Sequence, residues 1–159
     1  MIDRRTILIA LGALTLGPSV ARAAATNDRL ILTDAQWKAR LTPDQFDILR
    51  REGTEEPFSS PLDHEKRAGT YYCAGCDLAL YSSKTKYDSG TGWPSFWKPL
   101  PNAVATKTDD SLPGEERNEV HCRRCEGHLG HVFDDGPPPT GLRYCMDGVA
   151  LKFRPGVIT

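Results

Sequence analysis

The five cysteines of this 159-residue chain divide by spacing into two pairs and a remainder. Cys73-Ala74-Gly75-Cys76 and Cys122-Arg123-Arg124-Cys125 each place two thiols where one tight turn aims both at the same point. Two such turns supply four sulfurs, the tetrahedral shell that structural zinc prefers, with bonds near ~2.3 Å. A closed shell leaves no position for substrate, so one Zn2+ per chain is expected, serving folding rather than chemistry. The gap between the pairs is longer than in a usual zinc ribbon and reads as an insertion. The rival reading is oxidative, because exported proteins commonly pair their cysteines as disulfides and a lone Cys-x-x-Cys can be a redox motif. Neither pair opens a helix in a βαβ unit, which the redox reading requires.

Cys145 is then left without a partner. A free cysteine packs as a small hydrophobe, and a buried structural thiol is the bland alternative. Its neighbours point elsewhere. Arg143, two residues earlier, projects on the same strand face, where its charge can stabilise a thiolate. His128-Leu129-Gly130-His131 offers two imidazoles that titrate near neutral pH. Ser89-Gly90-Thr91-Gly92-Trp93-Pro94-Ser95-Phe96-Trp97 is a turn-rich segment carrying three aromatics. Together they describe a thiol nucleophile, a general acid and an apolar wall.

The elements that must hold these groups are mostly strands. Thr33-Asp34-Ala35-Gln36 and Thr42-Pro43-Asp44-Gln45 each read as a capping box that starts a short helix, and Gly53 ends the second. Beyond them the helical signal disappears. Extended runs are predicted at Thr70–Cys73, Leu78–Ser82, Asn118–Cys122, His131–Asp134, Leu142–Met146 and Val149–Phe153. The 12 prolines and 14 glycines between and around them fit a loop-rich fold. The expected architecture is mainly β, a small antiparallel sheet domain with short N-terminal helices and a four-cysteine zinc site. Residues 1–23 read as a cleaved signal of the twin-arginine type: Arg4-Arg5, an apolar stretch from Thr6 to Gly17, Pro18, then Ala21-Arg22-Ala23. Residues 24–159 then form one domain, placed in the bacterial periplasm and without stable membrane insertion. A formal net charge of −1, with no basic patch, argues against a nucleic-acid partner.

Five ordered motifs make a resemblance: Tyr72-Cys73-Ala74-Gly75-Cys76, Gly92-Trp93-Pro94-Ser95-Phe96, Cys122-x-x-Cys125, the run His128 to Pro137, and Arg143-Tyr144-Cys145. From Trp37 to Phe153 the chain resembles the peptide-methionine (R)-S-oxide reductases, the B-type methionine sulfoxide reductase family. The resemblance implies that Cys145 attacks the sulfoxide sulfur and becomes a sulfenic acid. It also implies that His128 and His131 are active-site histidines, with His131 favoured as proton donor. Asp135 and Arg143 match polar residues of the pocket, and Trp93 the indole that packs against the substrate methyl group. Oxidised methionine residues of client proteins are the implied substrate.

Two departures qualify it. Where many members carry a resolving cysteine this chain has Thr91, so an external reductant, a thioredoxin-like protein or a small thiol, is expected. Asp147 stands where the motif usually has asparagine. It shares a strand face with Cys145, and its carboxylate either opposes thiolate formation or is solvated harmlessly at the pocket rim. A reading from a different class remains: a zinc-knuckle module that binds peptides through Trp93, Phe96 and Trp97 without catalysis. Selective alkylation of Cys145 would discriminate against it.

Overall fold

The computed structural model describes residues 28–112 and 115–156, and the expected export segment lies outside them. Two helices come first, α1 (Asp34–Arg40) and α2 (Pro43–Arg51). Both begin with the expected capping boxes: the Thr33 and Thr42 hydroxyls accept from the Gln36 and Gln45 N–H groups, and each glutamine side chain accepts from its threonine's backbone N–H. Such a reciprocal pair satisfies two otherwise orphaned donors. α2 ends at Arg51, two residues before the expected glycine, with Glu52 in the left-handed conformation at φ 58°.

Among the described residues nine strands follow: β1 (Gly69–Cys73), β2 (Ala79–Ser82), β3 (Lys86–Tyr87), β4 (Ser95–Phe96), β5 (Val104–Leu112), β6 (Glu115–Cys122), β7 (His128–Phe133), β8 (Arg143–Met146) and β9 (Leu151–Pro155). They make two sheets, one in the order β2-β1-β9 and one in the order β3-β4-β8-β7-β6-β5. Every pairing is antiparallel. The mainly β architecture with two short helices is therefore as expected from sequence. β5 was not expected, because Thr106-Lys107-Thr108-Asp109 is polar throughout. It is a largely exposed strand, held by its ladder with β6. β7 begins at His128, three residues earlier than predicted, which puts both histidines on one strand. The segment around Val149 is a turn of 3-10 helix before β9.

Aromatic packing joins the sheets. Tyr81 of β2 stacks on Phe96 of β4 at 4.3 Å between ring centroids, and Tyr71 of β1 meets the same ring edge-on at 4.9 Å. All three are fully buried, and such pairs add roughly 0.5–1.5 kcal/mol each beyond area burial. The Tyr81 hydroxyl reaches Met146 Sδ at 3.1 Å, fixing the strand residue next to Cys145. Among the described residues, no helix is long and apolar enough to cross a membrane.

Candidate active site and metal centre

The two Cys-x-x-Cys turns are copies of one geometry. After β1 the Cys73 N–H donates to Leu78 O and the Cys73 carbonyl accepts from the Asp77 N–H. After β6 the Cys122 N–H donates to Gly127 O and its carbonyl accepts from the Glu126 N–H. Asp77 and Glu126, at φ 57° and 56°, reverse the chain at equivalent places. The four sulfurs converge within 4.8 Å of one another, and all four residues are buried. Cys73 and Cys125 stand 3.6 Å apart, Cys76 and Cys122 3.5 Å. A tetrahedron with metal–sulfur bonds of ~2.3 Å has edges of about 3.8 Å, so the cluster has the size of a four-thiolate metal shell. Trp37 and Leu49 cover it. A Cβ built on Gly75 would lie 3.5 Å from the Trp37 ring, 3.6 Å from Leu49 and 3.7 Å from Cys125 Sγ.

Cys145 is half-buried on β8, between β4 and β7, opposite Ser95 on one side and His131 on the other. The approach of β7 depends on Gly130, at φ 136°, where a Cβ would collide with the Cys145 carbonyl at 2.1 Å. No residue with a side chain fits there. Thr91 Oγ1 stands 3.8 Å from Cys145 Sγ and joins a hydroxyl chain through Ser89 to Ser95, at 2.9 and 2.8 Å. Burial pushes the Cys145 thiol above its ordinary range, and Thr91, Arg143 and Ser95 only partly draw it back. Arg143 thus acts in the expected direction, but desolvation outweighs it.

A pocket of about 140 Å³ opens over the sulfur, and Cys145, His131, Trp93, Phe133 and Asp147 line it together with Thr54, Arg117 and Gly130. Trp93 is anchored from behind, its indole N–H donating to Glu55 O at 3.2 Å. His131 Nε2 is 2.7 Å from Asp109 Oδ2, and Arg117 donates to the same oxygen at 2.7 Å. Bonds from Ser111, and then from His131, hold Asp109 well below the usual carboxylate range. An ionised carboxylate only accepts, so Nε2 carries the hydrogen in this pair. Burial lowers the pKa of His131, with the Asp109 bond opposing it.

The remaining expected residues are placed differently. His128 is 3% exposed, and its ring centroid is 5.4 Å from that of His131, but it opens on a neighbouring cavity. Its Nδ1 lacks a well-aligned hydrogen-bond partner although Glu119 Oε1 is 3.0 Å away. Arg143 lies over the Phe133 ring at 4.3 Å. Asp135 grips that guanidinium with two bonds of 2.8 Å and is largely solvent-exposed, and neither Asp135 nor Arg143 is among the residues that line the pocket, Arg143 touching it through the Phe133 ring. Asp147 is 4% exposed, which excludes a solvated rim position. It accepts from the Thr54 hydroxyl at 2.9 Å and the Glu55 N–H at 3.0 Å. Glu55 in turn accepts from the Gly148 and Val149 N–H groups, at 2.7 and 2.9 Å, which fixes the chain after β8. Thr54, Glu55, Asp109, Arg117 and Glu119 were not singled out from sequence. None sits in a motif, and of the five only Glu119 falls within a predicted extended run, Asn118–Cys122.

Residues 41–155 match the SelR domain model. The chain belongs to the SelR family. Among its relatives are two proteins named peptide methionine sulfoxide reductase MsrB. The one from Pseudomonas putida is 53% identical over 120 residues, which are 76% of this chain and 90% of the relative. The one from Bradyrhizobium diazoefficiens is 49% identical over 135 residues, 85% of this chain and 97% of the relative. The chloroplastic peptide methionine sulfoxide reductase B1 of Arabidopsis thaliana is 49% identical over 137 residues, 86% of this chain and 68% of that protein. The SelR match takes in both cysteine turns and the whole Cys145 pocket.

Proposed function

We propose that this SelR protein is a peptide-methionine (R)-S-oxide reductase that returns oxidised methionine residues in proteins to methionine. The observation that carries the reading is a single pocket holding the Cys145 sulfur, the His131 imidazole and the Trp93 ring. The Cys145 thiolate attacks the sulfoxide sulfur, and His131 gives a proton to the oxygen. Thiolate, sulfoxide and one proton become a cysteine sulfenic acid and methionine. Cysteine sulfur is oxidised by two electrons and methionine sulfur reduced by two. Asp109 steadies the imidazolium from behind and Arg143 favours the thiolate. Two external thiols then reduce the sulfenic acid, releasing water and a disulfide.

Epimer choice follows from the walls. In the R epimer the oxygen meets donors while the methyl group lies against Trp93. In the S epimer the two exchange places, leaving polar groups unpaired at roughly 1–3 kcal/mol each. An assay with separated R and S methionine sulfoxide peptides and dithiothreitol should show turnover of the R epimer, with the S epimer slower by at least about tenfold. Equal rates on both would overturn the epimer assignment.

The reductant is a thioredoxin-like protein or a small thiol, because the other four cysteines are engaged with one another and Thr91 occupies the position beside Cys145. T91C should therefore form an intramolecular disulfide to Cys145 after one turnover, seen by peptide mapping, while the natural chain forms none. Such a disulfide in the natural chain would contradict the one-cysteine cycle. The four-thiolate cluster suits one structural Zn2+, held by Cys73, Cys76, Cys122 and Cys125 and taking no part in the redox step. The Met1 to Ala23 pattern supports export by the twin-arginine route, leaving a mature domain of residues 24–159 in the periplasm, with no nucleic-acid partner.

A further inference from the structure

Beyond Val104 every residue of β5 but one is exposed, and the exception is Asp109. The register explains where its side chain goes. Asp109 pairs with Arg117 across β5 and β6, Glu119 with His131 across β6 and β7, and His131 with Cys145 across β7 and β8. Residues two apart on a strand share a face, so Arg117 and Asp109 lie on the His131 and Cys145 face of the sheet. Three donors converge on the carboxylate there. The Ser111 N–H donates to Oδ1 at 3.0 Å, while His131 Nε2 and Arg117 Nη2 both reach Oδ2 at 2.7 Å. Arg117 Nη2 also donates to the Ser111 hydroxyl at 3.3 Å. With both oxygens engaged, the carboxylate is not free to turn away from the imidazole. It is ionised and can only accept, so a hydrogen stays on His131 Nε2. Among the described residues His131 Nδ1 has no hydrogen-bond partner, which leaves it for a ligand in the Cys145 pocket that the imidazole lines.

We propose, on the reductase reading above, that Arg117 is a positioning residue of the reaction: through Asp109 it fixes the His131 ring, so that the proton given to the sulfoxide oxygen leaves from Nδ1. One proton passes from Nδ1 of the imidazolium to the oxygen. The neutral ring that remains keeps its other hydrogen on Nε2, still donating to Asp109, and does not have to turn between turnovers. An arginine suits the place because it shares the oxygen that faces the ring. It carries part of the Asp109 charge, so the carboxylate orients the imidazolium without trapping its proton. Arg117 lines the pocket as well, and direct contact with substrate is the alternative that kinetics separates from positioning.

R117M, R117K and D109A are compared with the natural chain, all metal-loaded, on the R-sulfoxide peptide with dithiothreitol. R117M should lower kcat about tenfold or more with KM within about threefold, and R117K, which can return one donor to Asp109, should recover most of the loss. D109A should lower kcat by at least about a hundredfold, the scale of a misplaced general acid. Proton NMR supplies a signature that a packing role would not move. The natural chain should show the His131 Nε2–H proton shifted downfield and protected from exchange, R117M should broaden it and D109A should lose it. An R117M protein with the natural kcat, one whose loss lies wholly in KM, or a natural chain without that proton would overturn the positioning role. Should D109A fail to fold, the two Arg117 variants decide alone. The NMR signal needs no sulfoxide: a protein inactive on both epimers would sink the reductase reading, while the spectra would still decide whether Arg117 and Asp109 fix the ring.

Discussion

Cys145→Ser should lower kcat/KM for a methionine-R-sulfoxide peptide by at least ~10³-fold, to background, while metal content and melting temperature stay at their natural values. The reason is chemical before it is structural. Sulfur can accept oxygen and become a sulfenic acid, whereas a serine oxygen has no comparable two-electron oxidation, so no rearrangement of the pocket restores turnover. The structural consequences are small. Cys145 keeps its backbone pairing with Ser95 and His131, and a hydroxyl there can join the Thr91, Ser89 and Ser95 chain already present. The measurement is a single-turnover assay beside metal analysis and thermal melting. Activity above about a tenth of the natural rate would mean that another group is the nucleophile. Loss of activity together with a lowered melting temperature would instead mark Cys145 as a packing residue. The pH dependence has a definite sign. Burial raises the thiol above its ordinary range, attack needs the thiolate, and the acid limb of the rate profile therefore rises with pH through and beyond neutrality.

The parts of this site that the sequence discloses are those whose geometry is local. Cys73 and Cys76 are joined by one turn, as are Cys122 and Cys125, so spacing alone brings each pair together. The capping boxes at Thr33 and Thr42 are equally local. What escapes is set by pairing across the sheet. β5 has no apolar alternation, and Lys107 and Asp109 read as solvated charges. Only the ladder with β6 carries them to Glu119 and His131. Thr54 and Glu55 lie in a loop after α2, more than ninety residues from the Asp147 and Gly148 groups they bind. Asp147 shows the limit most clearly. Its position two residues from Cys145 gives the shared face, but burial decides whether its charge is free, and burial follows from the loop that closes over it.

Removing one metal ligand, as in Cys125→Ser, should lower the melting temperature by at least about 15 °C and abolish zinc binding. Structural zinc contributes an apparent ~10–16 kcal/mol in small domains, comparable to the whole stability of ~5–15 kcal/mol. Loss of even a third of that is about 5 kcal/mol, at roughly 3 °C of melting temperature for each kcal/mol in a domain of this size. The topology makes the cluster more than a local clip. Cys73 ends a strand of the three-stranded sheet and Cys122 a strand of the six-stranded one, so an ion bound to both ties the two sheets together. Trp37 of α1 and Leu49 of α2 rest against the same cluster, and their docking should loosen with it. Stripping the ion with a chelator and a thiol-reactive agent should give the same result in the natural chain, read as lost near-ultraviolet circular dichroism, with activity falling only because the fold does. A metal-free protein that melts at the natural temperature, or one whose four cysteines are found as two disulfides, would refute the zinc assignment and leave the Cys145 chemistry untouched.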